Sequence, residues 1–260
     1  MKTLIVIPAR FHSTRFPGKP LADLAGMPLV QHVWNRCCQA IERNDVIVAT
    51  DDDRIATVAR RFGARVELTS EDCLTGTDRV AEVAARVTAD WYINVQGDEP
   101  FIAPADLASL LQATREVEDD IAAINAMTSI FEESDFRSST VPKVVTDSHG
   151  VLLYMSRGSI PTDKQLGFAT ARRQVGIYAF RRQSLRAYHP RATRSPLEEL
   201  EDIELLRLLE SGAKIQMIEV NTPGPAVDTP HDLLRAESIL ASNRVTASEQ
   251  VDPVQTGLRP

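Results

Sequence analysis

Residues 6–33 read "VIPARFHSTRFPGKPLADLAGMPLVQHV". The apolar run from Leu4 to Ala9 leads into it and reads as a strand buried on both faces. The stretch ends in an amphipathic helical pattern. Between them, Arg10, Arg15 and Lys19 fall in one loop, with His12, Ser13, Thr14 and Gly18 interleaved. A cationic loop between a buried strand and a helix sits where an open parallel sheet binds ligands, at the carboxyl ends of its strands.

Working outward, the first hundred residues keep this alternation. "DVIVAT" (45–50), "RVELT" (65–69) and "WYINVQ" (91–96) read as strands, and 28–41, 52–63 and 77–87 as helices. Leu29, Val33 and Cys37 recur at helical spacing, and Asp52 and Gly63 read as cap and stop of the second helix. Such alternation implies right-handed crossovers and a mainly parallel sheet. After residue 120 strand-like segments dominate: 121–130, 142–147, 150–157 and 173–182, with a tight turn at His149–Gly150. Residues 195–212 read as one amphipathic helix burying Leu200, Ile203, Leu206 and Leu209. A strand at 214–220 and a helix at 228–241 follow. The expected organisation is one α/β domain over 1–242, with a β-rich insertion at roughly 121–182. A polar, disordered tail is expected over 243–260.

The chain carries 36 acidic against 29 basic residues, a net charge of −7. That balance excludes a general nucleic-acid or membrane binder, so an anion must be caught by a local cluster. Three cysteines without C-x-x-C spacing give no disulfide framework, and Cys37 reads as a core residue. No signal peptide or membrane-length apolar run is read, so a soluble, cytoplasmic protein is expected.

Arg10, Arg15 and Lys19 suit a triphosphate, with Ser13 and Thr14 as further donors. Neither G-x-x-x-x-G-K-[ST] nor G-x-G-x-x-G is present, which disfavours P-loop enzymes and dinucleotide-dependent dehydrogenases. In "NVQGDEP" (94–100), Asp98 ends a strand and suits a hard divalent cation such as Mg²⁺; an Asx-turn role is the plain alternative. Gln96 points to the same cleft. Asp228, in "PAVDTPHDL" (225–233), reads equally as a second metal carboxylate or as a helix cap, unless Thr229 is the cap. "LTGTDR" (74–79) reads as a base-binding turn or a plain capping turn.

These stretches, with "YMSRGSIP", "GIYAFR" and "SPLE", resemble in order the motifs of the CMP-KDO synthetase (3-deoxy-manno-octulosonate cytidylyltransferase) family, over roughly residues 3 to 240. The resemblance implies a Rossmann-like core shared with nucleotide-diphospho-sugar transferases, and a β-rich dimerisation part. It implies that CTP and a 3-deoxy-ulosonic acid give a CMP-sugar and pyrophosphate, in lipopolysaccharide precursor synthesis, in a homodimer. By resemblance, Arg10, Arg15 and Lys19 hold the phosphates. Thr75, Gly76, Thr77 and Arg79 approach the cytosine and ribose. Asp98 and Asp228 bind Mg²⁺. Gln96, Arg157, Gln174, Tyr178 and Glu204 line the sugar site. Two departures stand out: Gln174 replaces a histidine ahead of "GIY", and Leu205 a polar residue after Glu204. They leave a related ulosonic acid, amino-substituted or sialic-acid-like, open as substrate. A glycosyltransferase with a similar core is the rival, though its usual Asp-x-Asp motif is replaced by Gly97-Asp98-Glu99.

Overall fold

The computed structural model describes residues 1–13, 15–188, 193–221 and 224–249, with 243–249 described by backbone alone. Its first half is β1 (Thr3–Ala9), a two-stranded hairpin of β2 (Asp23–Leu24) and β3 (Met27–Pro28), α1 (Leu29–Cys37), β4 (Val46–Thr50), α2 (Asp53–Arg61), β5 (Arg65–Leu68), α3 (Gly76–Arg86), β6 (Trp91–Val95) and α4 (Pro104–Glu116). The second half is β7 (Ile121–Ile130), α5 (Glu133–Arg137), β8 (Lys143–Thr146), β9 (Leu152–Ser156), β10 (Ala171–Arg181), α6 (Pro196–Glu201), α7 (Leu206–Glu210), β11 (Lys214–Glu219) and α8 (Pro230–Glu249). Among these, α4 lies in a stretch that the strand-and-helix pattern leaves unassigned.

One sheet runs β11-β7-β10-β6-β1-β4-β5. Strand β1 pairs in parallel with β4 (Ile5 opposite Val46) and with β6 (Thr3 opposite Trp91). Strand β10 runs antiparallel to both its neighbours, β6 and β7. The β8–β9 hairpin hangs from β10, turning where the sequence places its tight turn. The β-rich part is therefore built on β7 and β10, which belong to the central sheet. Between Gln174 and Tyr178 the β10 register slips against β7, and the Asn125 side chain donates to the Val175 and Ile177 carbonyls there. That keeps Gln174, Gly176 and Tyr178 on one face of the strand.

Two apolar layers cover the sheet. On one face α1, α2 and α4 pack over Ile5, Ile7, Val48, Ile93 and Ile124, and Cys37 is fully buried among them. On the other, α3 and α7 pack over Leu4, Val6, Tyr92, Phe180 and Ile215. Strands β1, β4 and β6 are buried on both faces, as their uninterrupted apolar runs require. No helix among the described residues is long and apolar enough to cross a membrane.

Two expectations are corrected. Residues 195–212 are two short helices. Asp202 takes a left-handed conformation (φ 50°) between them, and Leu200 is 79% exposed instead of buried. The break is held from outside the segment: the Arg157 guanidinium donates to the carbonyls of Glu201 (2.5 Å) and Asp202 (3.0 Å). Helical periodicity cannot register a partner 44 residues upstream. The helix carrying Pro230 also continues to Glu249, so the tail expected to be disordered from 243 is helical over its first turns. Residues 250–260 lie outside the described residues.

Candidate active site

The carboxyl ends of β1 and β6 open into a cleft of about 290 Å³. Lys19 is its centre. The loop after β1 folds back through Gly18 N–H to Phe11 carbonyl (2.9 Å), then makes a 3₁₀ turn at Lys19–Leu21. The Lys19 side chain is 16% exposed; its Nζ donates to Asp98 Oδ2 (2.7 Å) and Asp228 Oδ1 (3.1 Å). Burial opposes its charge, but the two carboxylates outweigh that and hold the ammonium above the usual lysine range. Arg15 adds a contact to Asp228 Oδ1 at 3.2 Å.

Asp98 owes its place to Gly97. A Cβ there would stand 2.8 Å from the Pro8 carbonyl oxygen, so only glycine lets the turn after β6 press against the end of β1. Asp228 reaches the same point because Val227 N–H donates to the Asp98 carbonyl (2.9 Å). Thr229 caps α8: its Oγ1 accepts from Asp232 N–H (3.3 Å), and Asp232 Oδ2 accepts from Thr229 N–H (2.9 Å). Asp228 is thereby left to the cleft, and the helix-cap reading of that residue falls to Thr229.

Arg10, Ser13, Arg15, Lys19, Thr75, Gly76, Arg79, Gln96, Asp98, Glu204 and Asp228 all line the cleft. Arg10 is exposed and has no ion-pair partner among the described residues. Thr14 lies outside the described residues. Several roles differ from expectation. Thr75 caps α3 in a reciprocal box with Asp78, so its hydroxyl already serves the helix. Thr77 is fully buried; its hydroxyl donates to Glu204 and accepts from Asn94 Nδ2 (3.1 Å), so it positions Glu204 instead of facing a base. Arg79, 2% exposed, is fixed on Thr69, the Ser70 carbonyl and Asp51.

Of the residues expected at the sugar, Tyr178 is buried against Phe180, and Gln174 has a buried Nε2 without a partner among the described residues. Arg157 stands apart from the cleft lining, its guanidinium on the carbonyls of Ser139, Glu201 and Asp202. In this position it braces the α6–α7 break. Leu205 is fully buried in the apolar layer and faces no ligand space.

The sequence reading missed four groups. Arg194 and Glu198 line the cleft from the start of α6 and Asp202 from its C-terminal end, and the "SPLE" motif was the only signal for them. Glu99 follows Asp98 and packs against the bare Cα of Gly176, where a Cβ would come within 3.0 Å of Oε1. Burial, reinforced by the neighbouring Asp98 charge and partly offset by Arg173, pushes its carboxyl up to about 8.

Burial likewise pushes the Glu204 carboxyl from 4.5 up to about 7, against the lowering effect of the Thr77 hydroxyl. The folded state then holds a proton that the unfolded chain releases. This contribution to stability is lost as pH rises from about 4.5 through 7. Glu204→Gln is expected to flatten that fall. Tm measured from pH 5 to pH 8 for both proteins checks it, and parallel curves would mean that Glu204 is ionised throughout.

A strand-end site with two carboxylates around a lysine, beside a cationic loop, defines a nucleotidyl-transfer cleft in an α/β sheet. The chain belongs to the cytidylyltransferase family, whose model matches residues 4–215. It is 46% identical over 244 residues to a 3-deoxy-manno-octulosonate cytidylyltransferase of Geobacter metallireducens, covering 90% of this chain and 95% of that one. It is 40% identical to the Escherichia coli protein of that name, covering 92% and 96%. A solved structure of CMP:2-keto-3-deoxy-manno-octonic acid synthetase complexed with CTP superposes with a TM-score of 0.87 at 40% identity, covering 94% of this chain and all of that one.

Proposed function

We propose that this protein transfers the cytidylyl group of CTP to 3-deoxy-manno-octulosonate, giving the CMP-sugar and pyrophosphate, as a cytoplasmic homodimer serving lipopolysaccharide precursor synthesis. The relatives' names support the substrates. The observation that carries the reaction is the convergence of Asp98, Lys19 and Asp228 beside Arg10 and Arg15.

The sugar's anomeric C2 hydroxyl attacks the α-phosphorus, in line with the departing pyrophosphate. The protein contributes position and charge. Arg10, Arg15 and Lys19 neutralise charge gathering on the pyrophosphate. Two carboxylates meeting around one ammonium present hard oxygen donors to a single point of positive charge, a donor set that fits Mg²⁺ completed by phosphate and water oxygens. Asp98 and Asp228 would hold that ion, which when bound shields the α-phosphate and lowers the pKa of the hydroxyl. Glu204, fixed by Thr77, and Gln96 face the space left for the sugar.

Pyrophosphate release from CTP on addition of the octulosonate tests the reading, and a panel of related ulosonic acids tests its specificity. Release without any added acid would overturn it. Lys19→Ala is expected to weaken CTP at least tenfold and CMP less than twofold, because CMP lacks the outer phosphates that the ammonium meets. Calorimetric titration with both nucleotides checks this; equal losses would remove Lys19 from the triphosphate site.

A further inference from the structure

Two Arg-Phe pairs stand in the loop after β1, Arg10-Phe11 and Arg15-Phe16. Each phenylalanine packs on a different part of the protein. Phe16 rests on the apolar cluster of Leu24, Leu29 and Val227, beside the segment that delivers Asp228. Phe11 packs at the edge of the layer under α1, α2 and α4, and its carbonyl accepts from Gly18 N–H at 2.9 Å. The backbone at Phe11 therefore sets both Arg10, its neighbour in sequence, and the turn that presents Lys19. Gly18 has φ 73°, and a Cβ there would stand 3.2 Å from the Phe11 ring, so the ring fills the space beside that turn.

Over the same ring lies Arg54, from the first turn of α2. Its guanidinium carbon is 3.3 Å from the Phe11 ring centroid, a cation–π contact. Asp52 fixes the plane of that guanidinium: Nε donates to Oδ1 at 3.0 Å and Nη2 to Oδ2 at 2.6 Å. Asp52 is itself fixed as the N-cap of α2, where Oδ1 accepts from Arg54 N–H at 2.9 Å and from Ile55 N–H at 3.4 Å. A helix start that follows β4 thus orients the plane that clamps a loop following β1. Neither Arg54 nor Phe11 is among the residues lining the cleft. The Arg54 side chain is 58% exposed, so its contact is with the ring and not with the core.

We propose that Arg54 is a positioning residue for nucleotide binding: lying on Phe11, it fixes the loop that carries Arg10 and Lys19 to the start of α2, without touching the nucleotide itself. This rests on the reading of that loop as the triphosphate site. A loop fixed before its ligand arrives loses less freedom on binding, so an anchor outside the cleft raises affinity for the part of the ligand that the loop meets. The outer phosphates of CTP are that part, and CMP lacks them.

The test is calorimetric titration of CTP and CMP into the wild type, Arg54→Ala, Arg54→Lys, Phe11→Leu and the double variant of Arg54→Ala with Phe11→Leu. Hydrogen exchange at the Gly18 amide, read in the free proteins, reports on the loop itself. Arg54→Ala is expected to weaken CTP about three- to fivefold, the size of an exposed cation–π contact, and CMP less than about twofold. Exchange at Gly18 should become faster. Arg54→Lys should recover part of the loss, because lysine keeps the charge but not the plane. In the Phe11→Leu background, Arg54→Ala should cost nothing further. An equal cost in both backgrounds would overturn the proposal, by showing that Arg54 acts through its charge alone. Unchanged CTP affinity in Arg54→Ala would overturn it too, whatever the exchange at Gly18. If Phe11→Leu does not fold, the two changes at exposed Arg54 carry the comparison. Wild-type protein that binds no CTP fails the nucleotide reading instead; exchange at Gly18 then decides whether Arg54 fixes the loop.

Discussion

Asp98→Asn is expected to leave the fold intact and to lower kcat by about 10²–10³, some 3–4 kcal/mol of transition-state stabilisation. The substitution keeps the shape of the side chain and leaves untouched the carbonyl that accepts from Val227 N–H, so Asp228 should hold its place. It removes one of the two charges gathered on Lys19. Turnover at saturating CTP, acid and Mg²⁺, with circular dichroism as the control on folding, measures the effect. Near-normal turnover would mean that the carboxylate is a turn residue.

The largest effect on stability is expected at Arg207. The side chain is 6% exposed and reaches the capping boxes of both helices that line the cleft. Its Nε and Nη2 meet Glu198 at 2.5 and 2.7 Å, its Nη1 meets Asp78 at 3.4 Å and the Ala187 carbonyl at 2.9 Å, and it stacks on Tyr188. Glu198 is the third helical residue in the capping box of α6, and Asp78 is its counterpart in α3. One guanidinium therefore ties together the two helix starts that line the cleft. Arg207→Leu leaves two buried carboxylates without their cation, at a cost of about 3–5 kcal/mol. Urea denaturation reads this directly, and a loss under about 1 kcal/mol would show that the cluster relaxes. Combining Arg207→Leu with Glu198→Leu should recover part of the loss, because fewer charges are then stranded.

Much of the site was legible because strand ends announce themselves. The runs "TLIVIPA" and "WYINV" are apolar throughout, so the residues just after them had to emerge together at one edge of a parallel sheet. Lys19 and Asp98 follow from that alone. Side-chain direction was not legible. Thr75, Thr77 and Arg79 open a helix, and each was free to point at a ligand or into the protein. Thr77 turns inward because Asn94 and Glu204 wait there, 17 and 127 residues away. Arg157 was read as lining the sugar site, and nothing in "YMSRGSIP" shows the three carbonyls that it meets. Glu198 and Asp202 were hidden for the same reason. Their helix looked continuous, and the break that brings Asp202 to the cleft is made by distant hydrogen bonds.

Asp228 reaches the cleft on a segment seated by a small apolar cluster of Leu24, Leu29, Val227 and Ala236. The cationic loop and Asp98 both lie within the first hundred residues, whereas their partner carboxylate arrives 130 positions after Asp98 (228 − 98). During synthesis the cationic loop and the parallel strands β1, β4, β5 and β6 emerge long before the second aspartate leaves the ribosome. The nascent chain thus passes through a stage in which Lys19 has Asp98 but not Asp228, and the cleft is completed late, when the Val227 segment docks against the Leu24 hairpin.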